Sequence, residues 1–128
     1  MFKFEKLSVW QKAVTFVDLI YQSTRTFPEN ERYGLTNQLR RAAVSVASNI
    51  AEGSARSDPD FARFFGIATG SLYEVVTQIN LAKRQGFLNQ AEFEKIYRDA
   101  EEISRMLSGL RGSLASNDAS NPPSGSQP

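Results

Sequence analysis

Glu52 and Glu74 are the residues whose type and setting come nearest to chemistry in this chain. The sequence has no His and no Cys, so it offers no imidazole base, no Ser-His pair, no thiol nucleophile and no Cys zinc site. Carboxylates, Lys, Tyr and hydroxyls remain. Glu52 ends a polar row, Gln38, Arg41, Ser45, Asn49 and Glu52, whose spacing places it along one flank of a helix. Glu74 lies in a similar row, Ser71, Glu74 and Gln78. A carboxylate beside a pocket can serve as a general base, and two carboxylates can hold a hard cation. Two arguments weigh against both uses. Di-iron bundles complete their sites with Glu-x-x-His, and no His is present. Nearby Arg keeps a carboxylate ionised and hydrogen-bonded. Arg41, Ser45, Asn49, Glu52, Ser71 and Glu74 therefore read as a structural polar network at the edge of a core, with Arg41 near Glu74 or Asn49 near Ser71. No cofactor and no metal are expected, and the chain reads as a non-enzyme. A small enzyme using Glu52 or Glu74 at an inter-helix site is the alternative.

The elements that would carry these rows follow from sparse punctuation. The chain has 128 residues, a hydrophobic fraction of 41% and a net charge of +1, which suits one globular domain. Pro28, Pro59 and the run Gly86-Phe87-Leu88-Asn89 are the breaks within residues 1–114. They leave four helices: Ser8 to about Thr26, about Gly34 to Ala55, Asp58 to about Gln85, and Asn89 to about Leu114. Ser8 with Gln11 and Asn89 with Glu92 have capping-box spacing, and Asp58-Pro59 reads as an N-cap with Pro at the first helical position. No long period-two alternation suggests a strand. Residues 115–128 lack large apolar side chains and read as a disordered polar tail. No apolar run could span a bilayer and no signal peptide is evident, so a cytoplasmic protein with no membrane partner is expected.

Apolar spacing then sets the architecture. Phe93, Ile96, Ala100, Ile103, Leu107, Leu110 and Leu114 form one narrow stripe on the fourth helix. Leu35, Leu39, Ala42, Ala43, Val46, Ile50 and Gly53 do so on the second, and Phe61, Phe65, Ala68, Leu72, Val75, Val76 and Ile79 on the third. The fold class is all-α, an antiparallel up-down-up-down four-helix bundle. The first helix carries two stripes. Leu7, Trp10, Val14, Val17 and Tyr21 read as its core face; Val9, Phe16 and Ile20 lie about 120° away. With Val44, Phe64 and Ile67, these three are the expected contact surface between subunits of a homo-oligomer; the alternative is wide burial within one bundle with a few exposed side chains.

Charge is uneven. Residues 32–56 carry Arg32, Arg40, Arg41 and Arg56 against the single acid Glu52, and Lys83-Arg84 follows on the third helix. Repeated around a symmetry axis, Arg32, Arg40, Arg41, Lys83 and Arg84 would make a surface for RNA or an acidic partner. A purely structural assembly without ligand would leave these side chains solvated or paired.

Four runs resemble one family. They are Phe4-Glu5-Lys6-Leu7-Ser8-Val9-Trp10-Gln11-Lys12-Ala13; Phe27-Pro28 with Glu31, Tyr33-Gly34-Leu35-Thr36 and Gln38-Leu39-Arg40-Arg41-Ala42; Ser45 with Asn49-Ile50-Ala51-Glu52-Gly53; and Ala68 with Gly70-Ser71-Leu72 and Glu74. Over about residues 4–112 the chain resembles the four-helix-bundle proteins of the 23S rRNA intervening-sequence family. The resemblance implies a bundle assembled as a homopentameric ring or barrel, with no catalytic residues to carry over. A related branch, the accessory protein of diversity-generating retroelements, binds a reverse transcriptase and nucleic acid through a basic surface. The implied partners are other copies of the chain and RNA or a nucleic-acid-handling protein.

Overall fold

The computed structural model describes the backbone of residues 1–119 and the side chains through Leu114. Among the described residues it is all-α: α1 (Ser8–Thr24), α2 (Leu35–Gly53), α3 (Asp58–Arg84) and α4 (Gln90–Ala119), with short 3-10 turns at Lys3–Lys6 and Glu29–Glu31 and no strand. Of the expected disordered tail, residues 120–128 lie outside the described residues, whereas the backbone of 115–119 continues α4.

Local chemistry fixes the helix ends. The backbone N–H of Glu92 donates to Asn89 Oδ1 at 2.8 Å, and that of Asn89 donates to Glu92 Oε1 at 2.9 Å, a complete capping box for α4. Gly86 stops α3 in the left-handed region, at φ 82°, and lets the Phe87 N–H reach back to the Ala82 carbonyl at 2.8 Å. Ser8 does not act as the cap of α1; Leu7 holds that position, and Gln11 instead donates from Nε2 to the Glu5 carbonyl at 2.8 Å. At α2, Glu31 Oε1 accepts the Leu35 N–H at 3.0 Å, placing a carboxylate at the positive end of the helix.

Each helix packs on its neighbours in the cyclic order α1-α2-α3-α4, and the diagonal pairs make no close approach among the described residues. This packing is consistent with a bundle. Small residues bring α2 and α3 together. Ala42, Gly53, Ala68 and Ser71 are buried small residues of the two helices. A Cβ at Gly53 would stand 2.7 Å from the Phe64 Cβ and 2.9 Å from a Phe61 ring carbon. The core runs from Leu39, Val46 and Ile50 through Phe65, Leu72 and Ile79 to Ile96, Ile103 and Leu107. Most of the stripes expected for α2, α3 and α4 are inside, though Leu110 is exposed and Leu114 only half-buried.

α1 corrects the sequence reading. Val9, Phe16 and Ile20 are each 1% exposed and lie in the chain's own core, as does Phe64, at 8%. They do not face a partner. Leu7, Trp10, Val14 and Val17 are half-buried and Tyr21 is exposed. Two features favour this rotation. Ala13 sits in the inner row and lets the helix approach closely, and Thr24 satisfies its buried hydroxyl by donating to the Ile20 carbonyl at 2.7 Å. Trp10 and Tyr21 are amphipathic, so an outer position keeps their polar ends near water. Trp10 also gains cover from Phe4, whose ring meets it edge-on at 5.1 Å.

The α1–α4 contact carries one ion network. Lys12 Nζ lies 2.9 Å from Glu102 and 3.6 Å from Asp99. Its pKa is raised above the ordinary lysine value, chiefly by the hydrogen bond to Glu102, with burial opposing and the charge of Asp99 assisting.

Gly53→Ala is expected to destabilise the fold by about 1–3 kcal/mol, because the atom it meets is a Cβ on an opposing helix and cannot swing aside. Urea unfolding followed by circular dichroism measures this. An unchanged midpoint would show that α2 and α3 can separate without cost.

Candidate functional site

The α2–α3 seam brings part of the expected polar network together. Ser45 Oγ and Ser71 Oγ share a hydrogen bond at 2.9 Å. Asn49 Nδ2 donates to Ser45 Oγ at 3.0 Å and to the Ser45 carbonyl at 2.8 Å. One turn-pair away, Gln78 Nε2 donates to Gln38 Oε1 at a long 3.4 Å. Gln78 is buried, and its Oε1 has no hydrogen-bond partner. Such an acceptor forfeits about 1–3 kcal/mol relative to a satisfied one.

Arg41, Glu52 and Glu74 stand outside this bonded network. All three are exposed. Arg41 and Glu74 line one cleft of about 340 Å³ with Gln38, Ala42, Ser45 and Gln78, yet no ion pair joins them. Glu52 lies 3.5 Å from Arg56 on the same stretch of chain. The two glutamates are not brought together. Gly53 is level with Phe64 and Ser45 with Ser71, so Glu52 and Glu74 are separated by about 14 Å along the seam at ~1.5 Å per residue. Among the described residues no group of three or more acids could hold a metal ion.

The expected cations gather toward one end of the bundle. Phe27, after α1, meets Phe87, after α3, with ring centroids 5.6 Å apart, so the loops bearing Arg32 and following Lys83-Arg84 share that end. Arg32 is exposed, 3.5 Å from Glu29 and 5.6 Å from the Tyr33 ring centroid. Lys83 lies 4.5 Å over the Phe93 ring. Arg41 and Arg84 are exposed and make no hydrogen bond or ion pair among the described residues. Arg40 differs. It is half-buried, donates from Nε to Thr24 Oγ1 at 2.9 Å, and stacks 4.5 Å over the Tyr21 ring. A second cleft, about 460 Å³, opens beside it between α1 and α2 and is lined by Tyr21, Asn37, Arg40, Arg41, Val44 and Ser45.

Of the six residues expected between subunits, only Val44 and Ile67 are exposed, at 41% and 42%. Leu81, also off the main stripe of α3, is exposed as well. Charge spacing alone does not predict the holding of Arg40. Its signal was present: Tyr21 and Thr24 stand three residues apart at the end of α1, an aromatic face and a hydroxyl within one turn. Only the rotation of α1 turns both toward α2.

The profile of the 23S rRNA-intervening sequence protein family matches residues 5–109. No curated protein matches the chain. Among solved structures, a protein of unknown function from the S23 ribosomal protein family of Bacteroides thetaiotaomicron VPI-5482 is similar at a TM-score of 0.72 and 24% identity. That match covers 80% of this chain and 97% of the other, and it bears on the fold alone.

Replacing Gln78 by Met should be neutral or stabilising by up to about 1 kcal/mol, since it removes the unpartnered oxygen and loses only a long hydrogen bond. A denaturation midpoint lowered by more than that would show that the amide is satisfied in solution.

Proposed function

Because the chain belongs to the 23S rRNA-intervening sequence protein family, we propose that it is a non-enzymatic, homo-oligomeric module of the cytoplasm that binds RNA. The observation that carries this reading is the cationic end of the bundle. Two acids near that end have structural work: Glu31 caps α2, and Glu29 lies beside Arg32; Glu74 shares a cleft with Arg41 on the α3 side but forms no ion pair with it. Arg40, Arg41 and Arg84 are left without a carboxylate partner among the described residues. An uncompensated local field attracts a polyanion even when net charge is near zero.

The assembly we propose is a closed ring of antiparallel up-down-up-down bundles, five in number by the resemblance noted from the sequence. Alternating direction is supported by the pairing of Gln38 with Gln78 and Gly53 with Phe64 across α2–α3, and of Gly66 with Arg111 and Lys83 with Phe93 across α3–α4. Ring formation is supported by two apolar surfaces on opposite sides of the bundle. Trp10, Val14 and Val17 are half-exposed on α1; Ile67 and Leu81 are exposed on α3. Two different faces that join head to tail generate a ring when the rotation closes. The catalytic reading is weaker because Glu52 and Glu74 are far apart and Glu52 lines none of the clefts described above.

Light scattering at micromolar concentration should give a mass several times 14.3 kDa, and Ile67→Glu should reduce it without loss of helicity. Affinity for a structured RNA should fall at least about tenfold between 50 and 200 mM salt. A one-chain particle defeats the ring, and absence of RNA binding at 50 mM salt defeats the RNA assignment.

A further inference from the structure

Arg40 is fastened before any ligand arrives. Its Nε donates to Thr24 Oγ1 at 2.9 Å, its Nη2 reaches the Tyr21 carbonyl at 3.5 Å, and its plane lies over the Tyr21 ring. Thr24 is itself fixed. It is 3% exposed, and its hydroxyl donates to the Ile20 carbonyl at 2.7 Å. The inner edge of the guanidinium is thereby occupied, while Nη1 makes no hydrogen bond among the described residues. A guanidinium tethered at Nε presents its outer nitrogens as a fork, the geometry that matches two oxygens of a phosphate. Immobilisation in advance removes much of the side-chain entropy cost of binding.

The cleft beside it has matching chemistry. Of its six lining residues, Arg40 and Arg41 are cationic and none is acidic. Tyr21 and Val44 are exposed and supply apolar surface; Asn37 supplies an amide with both a donor and an acceptor. A volume of about 460 Å³ admits a ligand larger than a bare anion. The lining calls for an anionic group joined to a flat body with polar edges. An acidic side chain has the anion but lacks the flat body.

We propose that this α1–α2 cleft seats one nucleotide of an RNA strand. Arg40 and Arg41 hold the phosphodiester, Tyr21 and Val44 carry the base and sugar, and Asn37 meets a base edge. Thr24 is a positioning residue that acts through Arg40. The assignment rests on the RNA reading above and names the place where the strand is held.

The test is fluorescence anisotropy with a labelled 12-nucleotide oligouridylate RNA at 50 mM salt, on the full chain. Arg40→Lys keeps the charge but loses the fork, and should weaken binding about tenfold. Thr24→Val, which leaves every charge in place, should weaken it about fivefold, and Thr24→Ser should restore it. Val44→Asp, at a position 41% exposed, should abolish binding by placing an acid in the cleft. Circular dichroism confirms that each variant is folded. Wild-type binding with Arg40→Lys and Val44→Asp unaffected would overturn the cleft while leaving the RNA reading intact. No binding by the wild type would overturn both. Competition by a polyglutamate 12-mer equal to that by unlabelled RNA would make the cleft a carboxylate site and overturn the nucleotide assignment. A fall in particle mass for Val44→Asp would place Val44 in a subunit contact and overturn it as well.

Discussion

A missing Cβ at Gly53 sets how near α3 can come to α2, and the rest of the arrangement follows from that separation. With Phe64 packed directly against Gly53, the facing positions farther along must also be small. Ser45 and Ser71 meet through their hydroxyls at 2.9 Å. Were either a large apolar residue, the helices would splay and the short serine bond would be lost. The same separation sets the level at which Arg41 stands opposite the space between Glu74 and Gln78. Packing thus decides which polar groups share a cleft, and the hydrogen bonds follow the packing.

Rotation of α1 is the second constraint, and it couples the core to the surface. Residues on a helix are separated by about 100°, so turning α1 to bury Tyr21 would carry Thr24 away from its buried place. The observed rotation buries Val9, Ala13, Phe16 and Ile20, and at the end of that row it buries Thr24. Tyr21 then lies on the outside of the last turn. Arg40 needs both residues where they are, one for a hydrogen bond and one for a stacking face. The choice of core stripe on α1 therefore also decides whether α2 presents a fixed guanidinium or a free one.

The sequence makes some of this legible and conceals the rest for a definite reason. Helix number and extent are plain from Pro28, Pro59 and Gly86, and the Asn89–Glu92 spacing gives a real capping box. The stripes of α2, α3 and α4 are mostly unambiguous because one flank of each is strongly polar. α1 has two apolar rows of similar size, and a count of apolar residues favours the row with Trp10 and Tyr21. What decides between them is a polar end on a large side chain and the small size of Ala13, which such a count ignores. The network at the seam is half legible. Serines and Asn49 at helical spacing predict Ser45, Asn49 and Ser71 together. Charge complementarity alone suggests Arg41 with Glu74, and the structure leaves those two exposed and unjoined.

Net charge hides the surface field because the two signs are used differently. Many acids are committed to backbone or to cations: Glu31 and Glu92 to helix ends, Glu102 to Lys12, and Asp99 to Lys12 and Lys95. A carboxylate held by an ammonium projects little field beyond its partner, and one that caps a helix keeps its charge but sits against the positive end of that helix. Arg41 and Arg84 have no such commitment among the described residues, and the contacts of Arg40 are to neutral groups, so its charge is undiminished. A chain of net charge +1 can therefore carry a cleft from which acids are absent. In the proposed ring that cleft would recur once per subunit, and a strand reaching two of them would bind the second at the effective concentration set by the first.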